Sequence, residues 1–532
     1  MFDLAIQKKD YICPIVEVLI DLVGRLNKQE ISRVRNYLEG LDLKSRKESK
    51  LLALFDLIVK RRKGNLNADA FSLHLYGHKA DGKFRMIKSK LRSRILDALV
   101  LDRSIEMVEN IDPVTQSSLK SKKRVLNLTY LYFEKGNIPM VGELVDEILS
   151  KGIKFENYVA MIEALKIKKY IKGFVTNISD FQNINKQIAN YEYALQARER
   201  AADHYYRLIT RIDFHAGSNK QEIEGDLREA IIELRRDYKY TSSGQVGYYL
   251  KVIEIRYFNL MEDYLAARNS SIDLLEIIRN NPSVYRRQRV GIAFGNIAEC
   301  DVFLADYERA VSNLAASQKI FPLKSPNFLF SKELELKAWF YWGKYNEAEK
   351  ALKVLRENTN MSIGDFRISK YSFYHACILF KQQKYKEALK EVSQHLELSK
   401  DKAGWDIALR VLAILCNIEL QRLDEAAMQE ESLRKHIDRL KKEKQEISQR
   451  DILTGRVLHE LAKKGFMFSS LPAKTIEKLE LLSGTDKKYR WQPLIPEMVP
   501  FHNWVAEKAK LGLQKAKVEK SAKRKLKKVN LN

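Results

Sequence analysis

The sequence predicts an all-α chain assembled from stacked helix pairs, and three observations carry that prediction. In 532 residues there are only 22 glycines and 10 prolines, too few for the turns of a strand-rich fold. Alternating Val/Ile/Thr runs are scarce, whereas apolar residues at helical spacing recur along the chain. A short motif also returns at a nearly fixed interval in the second half, the signature of repeated supersecondary units. A chain this long exceeds one ordinary core, so several domains or a repeat array are required.

The chain opens on YICPIVEVLIDLVGRL, apolar enough to raise the question of a leader or anchor. Glu17 and Asp21 interrupt it and no small-residue cleavage site follows, so it reads as an amphipathic helix. No other long apolar run exists, and a cytoplasmic protein that does not enter the membrane is expected. Cys13, Cys300, Cys377 and Cys416 stand far apart and never as C-x-x-C, which fits a reducing compartment and supports neither a disulfide framework nor a thiolate metal site.

The formal charge of +25 sits near the two ends. Between Lys44 and Arg94 there are 15 Lys/Arg against 4 Asp/Glu, and from Glu507 to Asn532 there are 10 against 2, leaving the long middle close to balanced. Residues 1–124 are read as a basic helical domain. In it LNKQEISRVRNYLEG has Asn27 and Glu30 at capping-box spacing. Farther on, ADAFSLHLYG, the break GHKADG and the basic DGKFRMIKSKLRSRILDALVLD give the outline of a helix-turn-helix. In helical projection Phe84, Ile87, Leu91, Ile95 and Ala98 form one apolar arc flanked on both sides by cations, with Met86, Ser89 and Ser93 outermost. That pattern suits a snorkelling surface helix and gives no base-reading stripe. Arg85, Lys88 and Arg92 are nevertheless its candidates for phosphate contact.

Residues 125–244 read as degenerate repeats and long helices, with LNLTYLYFEKGNIPMVGELVDEILSK broken at Gly136–Ile138 and HAGSNKQE breaking a long run at Gly217. From 245 to 437 the grammar sharpens: an apolar helix, a short polar break, an aromatic residue or Leu, then Ala three residues later. It appears at Tyr264/Ala267, Tyr307/Ala310, Tyr345/Ala348, Tyr385/Ala388 and Leu423/Ala426, with anchors separated by 43, 38, 40 and 38 residues. Breaks are therefore expected near Asp263, Asp306, Gly343, Gln383 and Arg422. The anchor fills the space between two antiparallel helices, and the alanine lets them approach closely. Such a pair cannot bury its apolar faces alone, so neighbouring pairs stack.

These units resemble the tetratricopeptide repeat family, most clearly in VGIAFGNIAECDVFLADYERAVSNLAASQKIFP, where Phe294, Ile297, Ala298, Tyr307, Ala310, Ser317 and Pro322 match its large, small, anchor and terminating positions. The resemblance implies a right-handed helical-repeat solenoid that binds protein segments. The repeats depart from the family in exceeding its spacing of about thirty-four, in Leu336 and Trp339 in the following unit, and in Leu423 as the last anchor.

Residues 438–505 are read as C-terminal helices followed by a strap. KKYRWQPLIPEMVPFHNW carries Pro493, Pro496 and Pro500 among Trp491, Phe501 and Trp504, so it is not regular helix and is expected to cap the last helix of the stack. Residues 506–532 form a basic tail in which Lys523, Arg524 and Lys525 are further candidates for phosphate contact.

Motifs for chemistry are absent. GYYLK, GIAFGN and SGQVG lack the order of a phosphate-binding loop. His74 and His78 have no third ligand nearby, and Lys463 stands where His459–Glu460 would need a second histidine. Cys377 and His375 point apart on a helix, so no nucleophile–base pair is indicated and no cofactor is expected. The first reading is a non-enzymatic scaffold or adaptor that grips a protein or peptide partner. Lys337, Phe340 and Tyr341, with Phe373, Cys377, Phe380 and Lys381, are candidates on the first helices of the repeats. A nucleic-acid-associated regulator using the basic ends is the alternative.

Overall fold

The computed structural model describes residues 19, 22–23, 26, 28–42, 50–60, 68–79, 81–101, 113–130, 132–133, 138–173, 178–214, 220–358, 365–393 and 404–510. The readings that concern Cys13, Gly136, Gly217 and the tail with Lys523, Arg524 and Lys525 lie outside these residues. Among the described residues there is no strand, and no helix is long and apolar enough to cross a membrane. The chain divides into two compact units, Asp3–Lys123 and Arg124–Asn532.

In the first unit, α1 (Lys28–Asp42), α2 (Lys50–Lys60), α3 (Ala68–Tyr76) and α4 (Gly82–Leu101) share a core that includes Val34, Leu38, Phe55, Phe71 and Leu91. The α4 arc falls as its projection requires: Phe84, Leu91, Ile95 and Ala98 are buried and Ile87 is partly so. Asp81 starts that helix by accepting the Phe84 amide at 2.9 Å, which holds its carboxyl below the usual range. Arg35 and Asp56 tie α1 to α2 at 2.5 Å.

The division falls within α5 (Pro113–Tyr130), and the second unit continues with α6 (Ile138–Phe155), α7 (Tyr158–Gly173), α8 (Ile178–Phe214) and α9 (Lys220–Thr241). Then come five helix pairs: α10 (Gly244–Met261) with α11 (Tyr264–Asn280), α12 (Arg287–Phe303) with α13 (Tyr307–Gln318), α14 (Pro326–Tyr341) with α15 (Tyr345–Asn358), α16 (Asp365–Lys381) with α17 (Tyr385–Ser393), and α18 (Trp405–Glu419) with α19 (Leu423–Lys442). These pairs make an all-α, tetratricopeptide-like helical-repeat array. Each anchor is the first residue of a second helix, and Ala267, Ala310, Ala348, Ala388 and Ala426 are all fully buried.

All five breaks fall where the motif places them, and one backbone device makes them alike. Glu262, Ala305, Gly343, Gln383 and Gln421 each adopt positive φ, and the following amide reaches back five residues, as Asp306 N does to Asp301 O at 2.8 Å and Lys384 N to Leu379 O at 2.9 Å. This Schellman-type closure satisfies the last carbonyls of the first helix and turns the chain into the second. Only one of the five positions is glycine, so the turn at the other four is held by packing against the local cost of a left-handed L-residue.

Buried carboxylates bind neighbouring elements. Glu156, in the left-handed turn between α6 and α7, accepts the Ser243 hydroxyl at 2.5 Å, the Gly244 amide at 2.6 Å and the Ser283 hydroxyl at 2.9 Å. It thereby supplies the negative charge that the amino end of α10 favours. Asp301 of α12 takes Arg268 of α11 at 3.2 Å and Asn313 of α13 at 3.1 Å, joining three consecutive helices. After the pairs follow α20 (Gln449–Lys463), α21 (Ala473–Ser483) and α22 (Phe501–Ala509). A continuous core runs from Phe321 to Val505, so these last helices close the array.

Ala310→Leu or Ala348→Leu is expected to destabilise the second unit by roughly 1–3 kcal/mol, because extra methylenes at a close helix contact force overpacking. Thermal melts check this against Lys353→Ala, an exposed change that should leave the midpoint nearly unmoved. Equal small shifts for both kinds of variant would show that the alanines are not spacers.

Candidate functional site

Three prolines keep residues 484–500 out of a helix, and this segment travels much farther than a cap on the last helix would. At its start, Lys487 and Arg490 pair with Glu262 in the α10–α11 turn, and Lys487 also donates to the Met261 carbonyl at 3.5 Å. Trp491 meets the edge of Tyr341 with ring centroids 5.4 Å apart. Leu494 packs into the apolar cluster of Val302, Ala310, Leu314, Leu334 and Ala338, and its carbonyl accepts the Lys337 ammonium at 3.3 Å. Met498 and Val499 then settle beside Phe373, Cys377, Val411 and Leu415. The segment therefore covers the first helices α14, α16 and α18, and the expectation that it caps only the end of the stack is corrected.

One guanidinium closes the loop. Arg450 of α20 is buried, and every N–H it carries has an acceptor: Nε and Nη2 fork onto Glu497 at 2.5 and 2.8 Å, Nη1 reaches the carbonyls of Leu482 at 2.9 Å and Tyr489 at 2.6 Å, and Nη2 donates to His502 Nδ1 at 2.9 Å. The planar fork matches a carboxylate in a way that a lysine could not. Glu497 also accepts the Phe501 amide at 2.7 Å, fixing the start of α22, and the Trp491 indole donates to the Glu497 carbonyl at 2.9 Å. Burial, with the Arg450 charge beside it, pushes His502 down to about 3, so its ring is neutral and Nδ1 is an acceptor.

The predicted partner contacts are placed differently from expectation. Phe340 and Phe380 are buried, each edge-on to the anchor five residues later, Tyr345 at 5.7 Å and Tyr385 at 5.2 Å, so they pack within their own repeats. Phe373 is buried against Trp405 at 5.7 Å. None of the three is a free surface contact, because the helix pairs need these rings to fill the space around the anchors. Lys337 and Tyr341 do lie together on α14, under Leu494 and Trp491, while Lys381 is half-buried at the end of α16. Cys377 is fully buried and its thiol is pushed up by desolvation, so it is a packing residue. The four aromatics of WFYW divide their work: Phe340 enters the core, Tyr341 meets the strap, and Trp339 and Trp342 stack on each other at 5.2 Å with Lys344 over Trp342 at 3.7 Å.

In the first unit, Arg85 and Arg92 are exposed on α4 with Met86, Ser89 and Ser93, as the projection indicates. Lys88 is half-buried, and its ammonium is pushed down by desolvation and by Arg85. Among the described residues no group of three His, Cys, Asp or Glu side chains is placed to hold a metal ion.

Sequence reasoning had no signal for Arg450, Glu497 and His502 as one cluster, since the three are far apart in the chain and none belongs to a motif. No protein-family model matches the chain. No curated protein matches it. Among solved structures it is similar to a signal transduction ATPase with numerous domains (STAND) bearing a tetratricopeptide repeat sensor from Pyrococcus horikoshii, at 13% identity over 82% of this chain and 68% of that one, with a TM-score of 0.38. It is also similar to the apo form of RapI, at 16% identity over 69% of this chain and 97% of that one, with a TM-score of 0.35.

Arg450→Met should destabilise the second unit by about 3–5 kcal/mol, because it leaves Glu497 without its counter-charge in a buried place. Arg450→Lys should recover only part of that loss; full recovery in denaturant titrations would show that charge alone suffices. His502 adds a pH test. Its folded pKa lies below the ordinary 6.5, so the folded state binds fewer protons and stability falls as pH drops from 6.5 toward 3, by about 2 kcal/mol at pH 5. His502→Asn keeps an acceptor without a titrating ring, and its melting temperature should decline less between pH 7 and 5 than that of the native chain.

Proposed function

We propose that the chain is a non-enzymatic scaffold or adaptor whose helical-repeat surface binds a protein or peptide partner. The observation that carries this reading is that the array already holds an extended segment, its own residues 489–500. It does so through an apolar seat for Leu494, a lysine on a main-chain carbonyl and an aromatic edge on Trp491. Those are the elements by which a groove recognises an extended peptide. The groups in the groove that could do chemistry are poorly placed for it: Cys377 is held in its thiol form, and Tyr374 is buried with its ionisation strongly opposed.

A second reading, a nucleic-acid-associated regulator, draws on the exposed cations Lys83, Arg85, Lys90 and Arg92 of α4 and on the surplus of charge near both ends. Those cations flank a neutral centre, so contact through them would be to phosphate and would weaken steeply with salt.

Affinity capture from the native cell, with and without nuclease and followed by cross-linking, separates the two. The scaffold reading predicts protein partners that survive nuclease and cross-link to lysines within residues 244–442. Loss of every partner on nuclease treatment would overturn it and favour the phosphate-binding reading.

A further inference from the structure

The segment between Tyr489 and Glu497 is attached differently at its ends and at its tip. Both ends are fixed by the same guanidinium, Arg450, and the Trp491 indole closes the loop a second time on the Glu497 carbonyl. The tip, Pro493–Leu494–Ile495–Pro496, is seated by the Leu494 side chain and by one hydrogen bond from Lys337. None of the Arg450 contacts, to Leu482, Tyr489, Glu497 and His502, involves the tip.

Three features show that the tip is an imperfect occupant of its seat. Leu494 stands at φ +76, a left-handed conformation that a leucine adopts only against a local cost. Lys337 is buried with a single neutral acceptor among the described residues, the Leu494 carbonyl, and with the Tyr374 ring 5.6 Å away. The hydroxyl on that same Tyr374 ring is buried and has no hydrogen-bond partner among the described residues. Free of the left-handed turn, another chain could fill the same apolar seat and present a further acceptor to Lys337.

We propose that residues 490–496 are an intramolecular ligand occupying the repeat groove, and that the groove takes in their place an extended, proline-bracketed aliphatic segment of a partner protein, of the Pro-Leu-Ile-Pro kind. This rests on the scaffold reading and adds to it the chemistry of the partner and the step that regulates access. Tethering gives the tip a high effective concentration at its seat, so a partner segment succeeds only when it binds better than the strained tip or when the tip is weakened. The occupant is argued from the chain itself: an aliphatic residue between prolines lies in the seat, and its carbonyl meets the lysine.

The test uses the full chain and a fluorescent peptide copying residues 487–500, read by anisotropy. Leu494→Gly is the informative variant, because glycine takes positive φ without strain while the apolar plug is lost. The peptide should bind this variant at least about tenfold more tightly than it binds the native chain. A peptide with glycine at the position of Leu494 should bind neither. Leu494→Asn, which also tolerates the turn, is the second variant should the first melt abnormally. Equal binding to native and variant chains, or no binding to either variant while both melt like the native chain, would overturn the inference. Nuclease-resistant partners captured alongside such a failure would leave the scaffold reading standing, whereas peptide binding without any captured partner would count against the scaffold reading alone.

Discussion

Arg450 is the contact on which the closing end of the array depends. A stack of helix pairs presents a bare apolar face wherever it stops, and that face must be covered. Here the covering chain is a proline-rich segment that cannot form its own ladder of hydrogen bonds, so something else must satisfy its backbone and hold its course. A buried guanidinium with five acceptors does so: it fixes the end of α21 through Leu482, both ends of the strap through Tyr489 and Glu497, and α22 through His502. Glu419 adds a second anchor, accepting the Trp504 indole at 2.7 Å and the Lys508 ammonium at 2.6 Å.

The repeats themselves were legible because their constraint is local. An anchor at the first position of a helix and an alanine three residues later are read directly from sequence, and the five breaks follow. The left-handed residues at those breaks were not legible, since Glu262, Ala305, Gln383 and Gln421 are no glycines. Packing of the two helices dictates the turn there, and the residue at the turn merely tolerates it. Glu156 was equally silent: a lone glutamate becomes the acceptor for the amino end of α10 only after the chain has folded across nearly ninety residues.

The candidate groove was half legible. Lys337 and Tyr341 were singled out as lysine and aromatic on one helical face, and the fold does bring them together. Phe340, Phe373 and Phe380 share that pattern in the sequence, because exposed and buried aromatics at helical spacing look alike until the neighbouring repeat is in place. What covers the face is hidden in the sequence for a related reason. The strap's proline and aromatic content identifies an extended segment, but its reach depends on pairings such as Leu494 with Lys337 that no periodicity encodes.

The seating of the strap on α14 is read directly from the accessibility of Lys337. Burial, reinforced by the charge of Lys370, pushes its ammonium down to about 8, so at mildly alkaline pH it gives up its proton more readily than ordinary lysines. Slow labelling then reports cover rather than protonation. Amine-reactive footprinting of the native chain at pH 8, read by mass spectrometry, should leave Lys337 nearly unmodified while exposed Lys344 and Lys353 react, and Leu494→Gly should release it. Labelling of Lys337 in the native chain as fast as at Lys353 would contradict the account, because the strap would not then be seated on the repeats.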